Sequence, residues 1–234
     1  MIVVRAFTYI FRDRHWRSKL TEMAVFVLLL PFPIIGLVSL CVLLGYLAKI
    51  IHNISADFER PLPEWDHIGE DIRKGIPVLL AIIVYHLPLL LAAALLAVVR
   101  DSAAPGLIAG IDSIAPVALL LYSLLAWSLW TLGLVRYAET WESERFYQFN
   151  QSLRRLQRNI PLVLGWLVSA LIANVLLLTL LPVFLLGAIL LMPVHGYVAG
   201  TYARRLRAAR LAERHEQAGD SASFLHSRSA EALV

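Results

Sequence analysis

Apolar residues in this chain come in long uninterrupted blocks, not in strand-like alternation or the mixed stripes of a surface helix. Residues 23–48, 76–99 and 159–203 contain no Asp, Glu, Lys or Arg, and 113–135 is a fourth such block bounded by Asp112. Bilayer hydrocarbon is about 30 Å thick and takes about 20 apolar residues of helix to cross. Block 159–203 is 45 residues long, about 68 Å of helix, with Pro182 near its middle where a helix would break. It reads as two spans joined by a tight turn. Block 23–48 is long for one span and short for two, and Pro31, Pro33 and Gly36 punctuate its centre. The pattern predicts an all-α polytopic transmembrane bundle of about six segments, near 16–33, 34–51, 76–99, 113–135, 160–181 and 183–203. Residues 1–205 then form one membrane domain. Residues 206–234 carry a charged helix as far as Gln217 and a small, polar, disordered tail beyond it.

Charge decides how the first block is read. Lys and Arg number five before Glu22, four in 49–75, one in 100–112, five in 136–158 and six after Ala203. A single crossing at 23–48 would put fifteen of these on one side and six on the other. A hairpin that returns to its starting side makes the split twenty to one. The positive-inside bias therefore favours a Pro-centred hairpin, short or re-entrant, with Arg17 and Lys19 snorkelling from its first arm. Both termini are then expected on the cytoplasmic side of the membrane. No cleavable leader is expected, because charged and aromatic residues precede the first block and no small-x-small site follows it.

Composition agrees with a bilayer solvent: 59% of residues are hydrophobic and 16% charged, against about 25% charged in soluble domains. The net charge of +4 would suit nucleic acid in a soluble protein. Here the arginines flank apolar blocks, so anionic lipid headgroups are the expected partner and nucleic acid is not. Cys41 is the sole cysteine and is expected as a packing residue.

Three segments between the blocks look interfacial. Val3, Phe7, Ile10 and Phe11 follow helical spacing among Arg5, Arg12 and Arg14. Pro61 and Pro63 hold the next segment extended, after which Trp65, Ile68, Ile72 and Ile76 lead helically into a span with Asp66, Glu70 and Asp71 on the opposite face. Phe146, Phe149, Leu153 and Leu156 make an apolar stripe opposed by Arg154, Arg155 and Arg158, a pattern that suits a membrane surface or the bundle itself. A weak internal repeat joins the two hairpins: Leu-Leu-Pro31, Gly36 and Gly45-Tyr46 recur at the same spacing as Leu-Leu-Pro182, Gly187 and Gly196-Tyr197.

Little in the sequence points to chemistry. No ionisable carboxylate or cation falls deep inside a predicted span, where transport and proton relays usually place one. His86, Asn174 and His195 are the mid-span polar groups, a candidate intramembrane site or simply interhelical hydrogen bonds. Ser39, Ser128, Thr131, Ser169 and Thr179 are expected to bond back to their own helices. His52, Glu64, Asp66, His67, Glu70 and Asp71 are metal-capable types without a recognised ligand spacing, so no metal or cofactor is expected.

Several residues carry a resemblance. A pattern Phe7, Tyr9, Phe11-Arg12-Asp13, Trp16 and Lys19 precedes the Pro-centred block. Gly45-Tyr46, then Leu62-Pro63-Glu64-Trp65-Asp66, then Gly75 opening the next span follow in order. Together these resemble a prokaryotic integral-membrane family, domain of unknown function 4013, with specific motifs over about 5–100 and only the apolar pattern from there to about 205. The resemblance implies a multi-span membrane protein and brings no reaction or catalytic residue. The expectation is a non-catalytic scaffold, assembly factor or accessory subunit with a membrane-protein partner. Two alternatives stand beside it: a small transporter, channel or lipid-handling protein with a site between Pro-broken hairpins, and a membrane enzyme using the acidic 64–71 segment.

Overall fold

In the computed structural model, the structure describes residues 2–59, 62–102, 105–183 and 185–231, with side chains outside 101–111 and 213–231. Among these are eight α-helices and no strand: α1 (Ile2–Thr8), α2 (Trp16–Leu29), α3 (Pro33–Ser55), α4 (Ile68–Ser102), α5 (Pro105–Thr140), α6 (Phe149–Arg158), α7 (Ile160–Leu180) and α8 (Leu186–Glu231). Five of them, α3, α4, α5, α7 and α8, are long and apolar enough to cross a membrane. Ile34, Val98, Ile114 and Leu178 are more than two-thirds exposed, which suits lipid and not water. This is a multi-pass membrane bundle.

The prolines act where the sequence places them. Pro33 occupies the first turn of α3, where its missing N–H costs nothing, and Pro182 sits in the turn between α7 and α8. α2 has 14 residues, about 21 Å, so the first arm of the hairpin is a short one. Pro77, Pro88, Pro116 and Pro193 lie inside continuous helices, and α4 starts at Ile68, so Ile68, Ile72 and Ile76 lie in its first turns while Trp65 precedes it. Pro61 lies outside the described residues. Beyond the apolar block the backbone of α8 continues as helix to Glu231.

α3 is the central helix: 67% of its apolar window is buried, against 6% in α4. It runs antiparallel to α2 and packs on α4, α5 and α8. Glycines permit these contacts. A methyl group on Gly45 would overlap the Asp71 carbonyl, and one on Gly75 would overlap the Cys41 carbonyl, so α3 and α4 cross backbone to backbone. On the other side Gly196 and Gly200 of α8, spaced as G-x-x-x-G, lie against Ile50 and Ile54 of α3. The repeat has a physical counterpart: the glycine of each Gly-Tyr pair seats a helix crossing, and the tyrosine meets an aromatic ring, Tyr46 stacked on Trp65 and Tyr197 tilted against Tyr9.

Contacts also gather the basic segments onto one side. Lys19 reaches the Leu62 carbonyl, Arg204 pairs with Asp57 at 2.5 Å, and Arg207 faces Glu139 at 3.3 Å. Arg100, the lone cation of 100–112, pairs with Asp112 at 2.8 Å. Cysteines introduced at exposed Ser18 and Asp57, in a Cys41→Ala background, are expected to react with a membrane-impermeant maleimide from the same side; labelling from opposite sides would overturn the hairpin. Gly45→Ala is expected to cost about 1–3 kcal/mol by overpacking, read as a lower Tm in detergent. An unchanged Tm would contradict the backbone contact.

Candidate functional site

The Leu-Pro-Glu-Trp segment between α3 and α4 turns inward. Leu62 and Pro63 are buried, and Trp65 lies half-buried in an aromatic stack. Its indole is parallel to the Tyr46 ring at 4.0 Å and stacks on Phe26 of α2 at 5.1 Å. Trp65 Nε1 donates to the Lys19 carbonyl at 3.1 Å, and the Tyr46 hydroxyl donates to the Pro63 carbonyl at 3.1 Å. Lys19, expected to snorkel, is instead 5% exposed: its ammonium donates to Asp13 Oδ2 at 2.9 Å and to the Leu62 carbonyl at 2.8 Å. Two partners in reach make the buried geometry cheaper than extension to the headgroups. Burial raises the Asp13 carboxyl, but the Lys19 ammonium and the His15 N–H outweigh it and hold the group below its ordinary range. The segment is thus a latch tying the first hairpin to α4. Glu64 and Asp66 stay exposed.

The acidic face expected on the first turns of α4 is not uniformly solvated. Asp71 is fully buried and pairs with Lys49 of α3 at 2.7 Å, because the Gly45–Gly75 crossing brings that carboxylate against α3. Glu70 pairs with Lys74 at 2.7 Å, and Asp66 lies 3.7 Å from His67. His52 Nδ1 lies 2.7 Å from the Ala138 carbonyl. Among the described residues no three His, Cys, Asp or Glu side chains are placed to share a metal ion.

Of the three mid-span polar residues, the structure brings two together. His195 Nε2 donates to Asn174 Oδ1 at 2.9 Å, linking α8 to α7. His86 stays apart: its Nδ1 is 2.9 Å from the Ile82 carbonyl one turn back on its own helix. A β-carbon four residues downstream lies over that carbonyl, so the local bond prevails over an interhelical one. Ser128, Ser169 and Thr179 also bond back to their own helices. Ser39 instead crosses the hairpin to the Phe26 carbonyl at 2.5 Å, and the Thr131 hydroxyl is buried without a protein partner.

Asn174 and His195 lie in the wall of a cavity of about 400 Å³ between α3, α4, α5, α7 and α8. Leu44, Leu47, Ile82, Leu134 and Met192 make most of it apolar, and it is partly open. Trp127 and Trp166 meet edge-on at 5.2 Å across the α5–α7 side, with Trp127 6.2 Å from His195. Two polar atoms in this wall, Trp130 Nε1 and Thr131 Oγ1, are buried and unpartnered. An apolar hollow with a few convergent polar groups is the usual form of a small-ligand site. The tryptophans were not legible as site residues, because Trp127 and Trp130 on α5 and Trp166 on α7 come to line one cavity only once the helices pack. A second cavity, of about 440 Å³, lies on the basic side between Tyr9, Arg12, Arg14, Asp57 and Arg204, where charges of both signs meet.

The model of the family described as protein of unknown function DUF4013 matches residues 26–192, well over half of the chain. The chain belongs to this family. The match holds Gly45-Tyr46, Leu62-Pro63-Glu64-Trp65-Asp66 and Gly75, whereas the N-terminal pattern from Phe7 to Lys19 precedes it and residues after 192 lie beyond it. No curated protein and no solved structure matches the chain.

Trp65→Ala is expected to lower stability by about 3 kcal/mol and to reduce accumulation in membranes, whereas Trp65→Phe keeps most of it. The check is thermal unfolding in detergent alongside membrane yield. Wild-type behaviour of Trp65→Ala would reject the latch as a structural device.

Proposed function

We propose that this DUF4013 protein is a non-catalytic, lipid-handling protein of the prokaryotic cytoplasmic membrane, with both termini in the cytoplasm. Its ligand is an apolar, lipid-class molecule carrying a hydrogen-bond acceptor. The observation that carries this reading is the 400 Å³ cavity in which Trp130 Nε1 and the Thr131 hydroxyl stand without a partner beside the Asn174–His195 pair. An unpaired buried donor costs about 1–3 kcal/mol, which an acceptor on the ligand would offset. Paired Pro-broken hairpins around the cavity resemble the discontinuous helices of transport sites, although no carboxylate lines it to couple an ion.

The test is lipid analysis of the gently extracted, full-length protein. Native mass spectrometry is expected to show one retained apolar molecule per chain. Ala199→Phe, which fills the cavity from α8, is expected to abolish retention without lowering Tm. Retention that persists unchanged in that variant, or a wild-type protein that carries nothing, would reject the reading.

An accessory-subunit role draws on a different observation. Only 6% of the apolar window of α4 is buried within the chain, and Leu87, Leu90, Leu91 and Leu95 stand exposed. A photo-crosslinker at Leu91 that captures one protein in near-stoichiometric yield would support it. Adducts with lipid alone would leave α4 as a lipid-facing helix.

A further inference from the structure

Burying a guanidinium without a counter-charge is costly, and Arg136 on α5 is 4% exposed. One of its terminal nitrogens, Nη2, donates to the side-chain oxygens of Gln148 and of Gln151, the latter at 3.1 Å; both acceptors are neutral. The other, Nη1, is buried and has no partner. Among the described residues no carboxylate pairs with Arg136. Cations gather there instead: the half-buried Arg145, Arg155 and Arg210 lie near enough for their charges to act on it. Burial, with Arg210 and Arg145 beside it, also holds the Arg155 guanidinium below its ordinary range, against the opposing pull of Glu139.

The acids in reach do not neutralise the group. Glu142 pairs with Arg145 at 2.7 Å, and Glu139 also faces Arg207. Two more donors wait nearby, Arg145 Nε and the Ser152 hydroxyl, both buried and unpartnered. Gln148, Ser152 and Arg155 share one face of α6 at i, i+4, i+7 spacing. Phe149 and Leu153, about a third of a turn round the helix, are each 42% exposed, and the Phe149 ring lies 5.1 Å from that of Tyr85.

We propose that this arginine nest between α5, α6 and α8 is a binding site for a phosphate group, with Arg136 as its floor and Arg145, Arg155 and Arg210 at its rim. Guanidinium forks match phosphate oxygens bidentately, and the ligand's charge supplies what the fold withholds from Arg136. The site is independent of the apolar cavity and stands whether or not that cavity binds lipid.

The full-length protein is tested in nanodiscs of phosphatidylcholine alone, the same with phosphatidic acid, and phosphatidylcholine with inorganic phosphate in solution. A Tm raised by phosphatidic acid alone identifies a lipid headgroup as the ligand; a Tm raised by inorganic phosphate identifies a soluble one. Arg155→Gln and Arg210→Gln, at the rim, are expected to weaken the effect about tenfold without lowering the unliganded Tm. Arg5→Gln/Arg14→Gln, exposed and on another segment, is expected to keep it. No shift with either phosphate source, no effect of the rim variants, or an equal loss in the Arg5/Arg14 variant would overturn the proposal.

Discussion

Inside a bilayer, lipid tails solvate a leucine as well as a neighbouring helix does, so helices associate by close packing and polar contacts. The crossing of α3 and α4 is where this protein meets that constraint. Gly45 and Gly75 remove the side chains that would hold the two backbones apart, and the approach seals the Lys49–Asp71 pair between them. Much of the rest depends on that contact. With α4 fixed on α3, its first turns stand where the preceding segment must fold back, and Trp65 is delivered onto Tyr46. α8 then takes the opposite side of α3 by the same device, through Gly196 and Gly200.

Among the described residues the buried charges are Asp13, Lys19, Asp71 and Arg136, and they are managed in two ways. Lys19 and Asp71 each have an opposite charge at hydrogen-bond distance, which lets them sit among apolar residues. Arg136 has only neutral oxygens and other cations for company. The first two belong to the architecture of the hairpin, while the third is a strained electrostatic arrangement maintained by α6.

The architecture was legible in the sequence to the extent that single residues carry long-range meaning in a membrane. The prolines at 31, 33 and 182 set the turns, and the distribution of Lys and Arg set the side on which the segments meet. Hydropathy found every long helix. Pairing was not legible, because it depends on helix rotation. Asp71 reads like Glu70 in sequence, yet the Gly45–Gly75 crossing buries one and leaves the other near the surface. His86 and His195 share a type and a proline nearby, but only His195 faces a partner across a helix boundary. Likewise the cavity depends on five helices whose mutual rotations no local pattern encodes.

The 14-residue α2 has a consequence for the membrane itself. At about 21 Å it falls roughly 9 Å short of a typical hydrocarbon core, while α4 and α5, at 35 and 36 residues, exceed it. One face of the protein therefore asks for a thin bilayer and another for a thick or tilted one. Lipids around the first hairpin must compress or splay, and those along α4 must stretch or lean. By helix length alone, short-chain lipids would match the protein best beside α2.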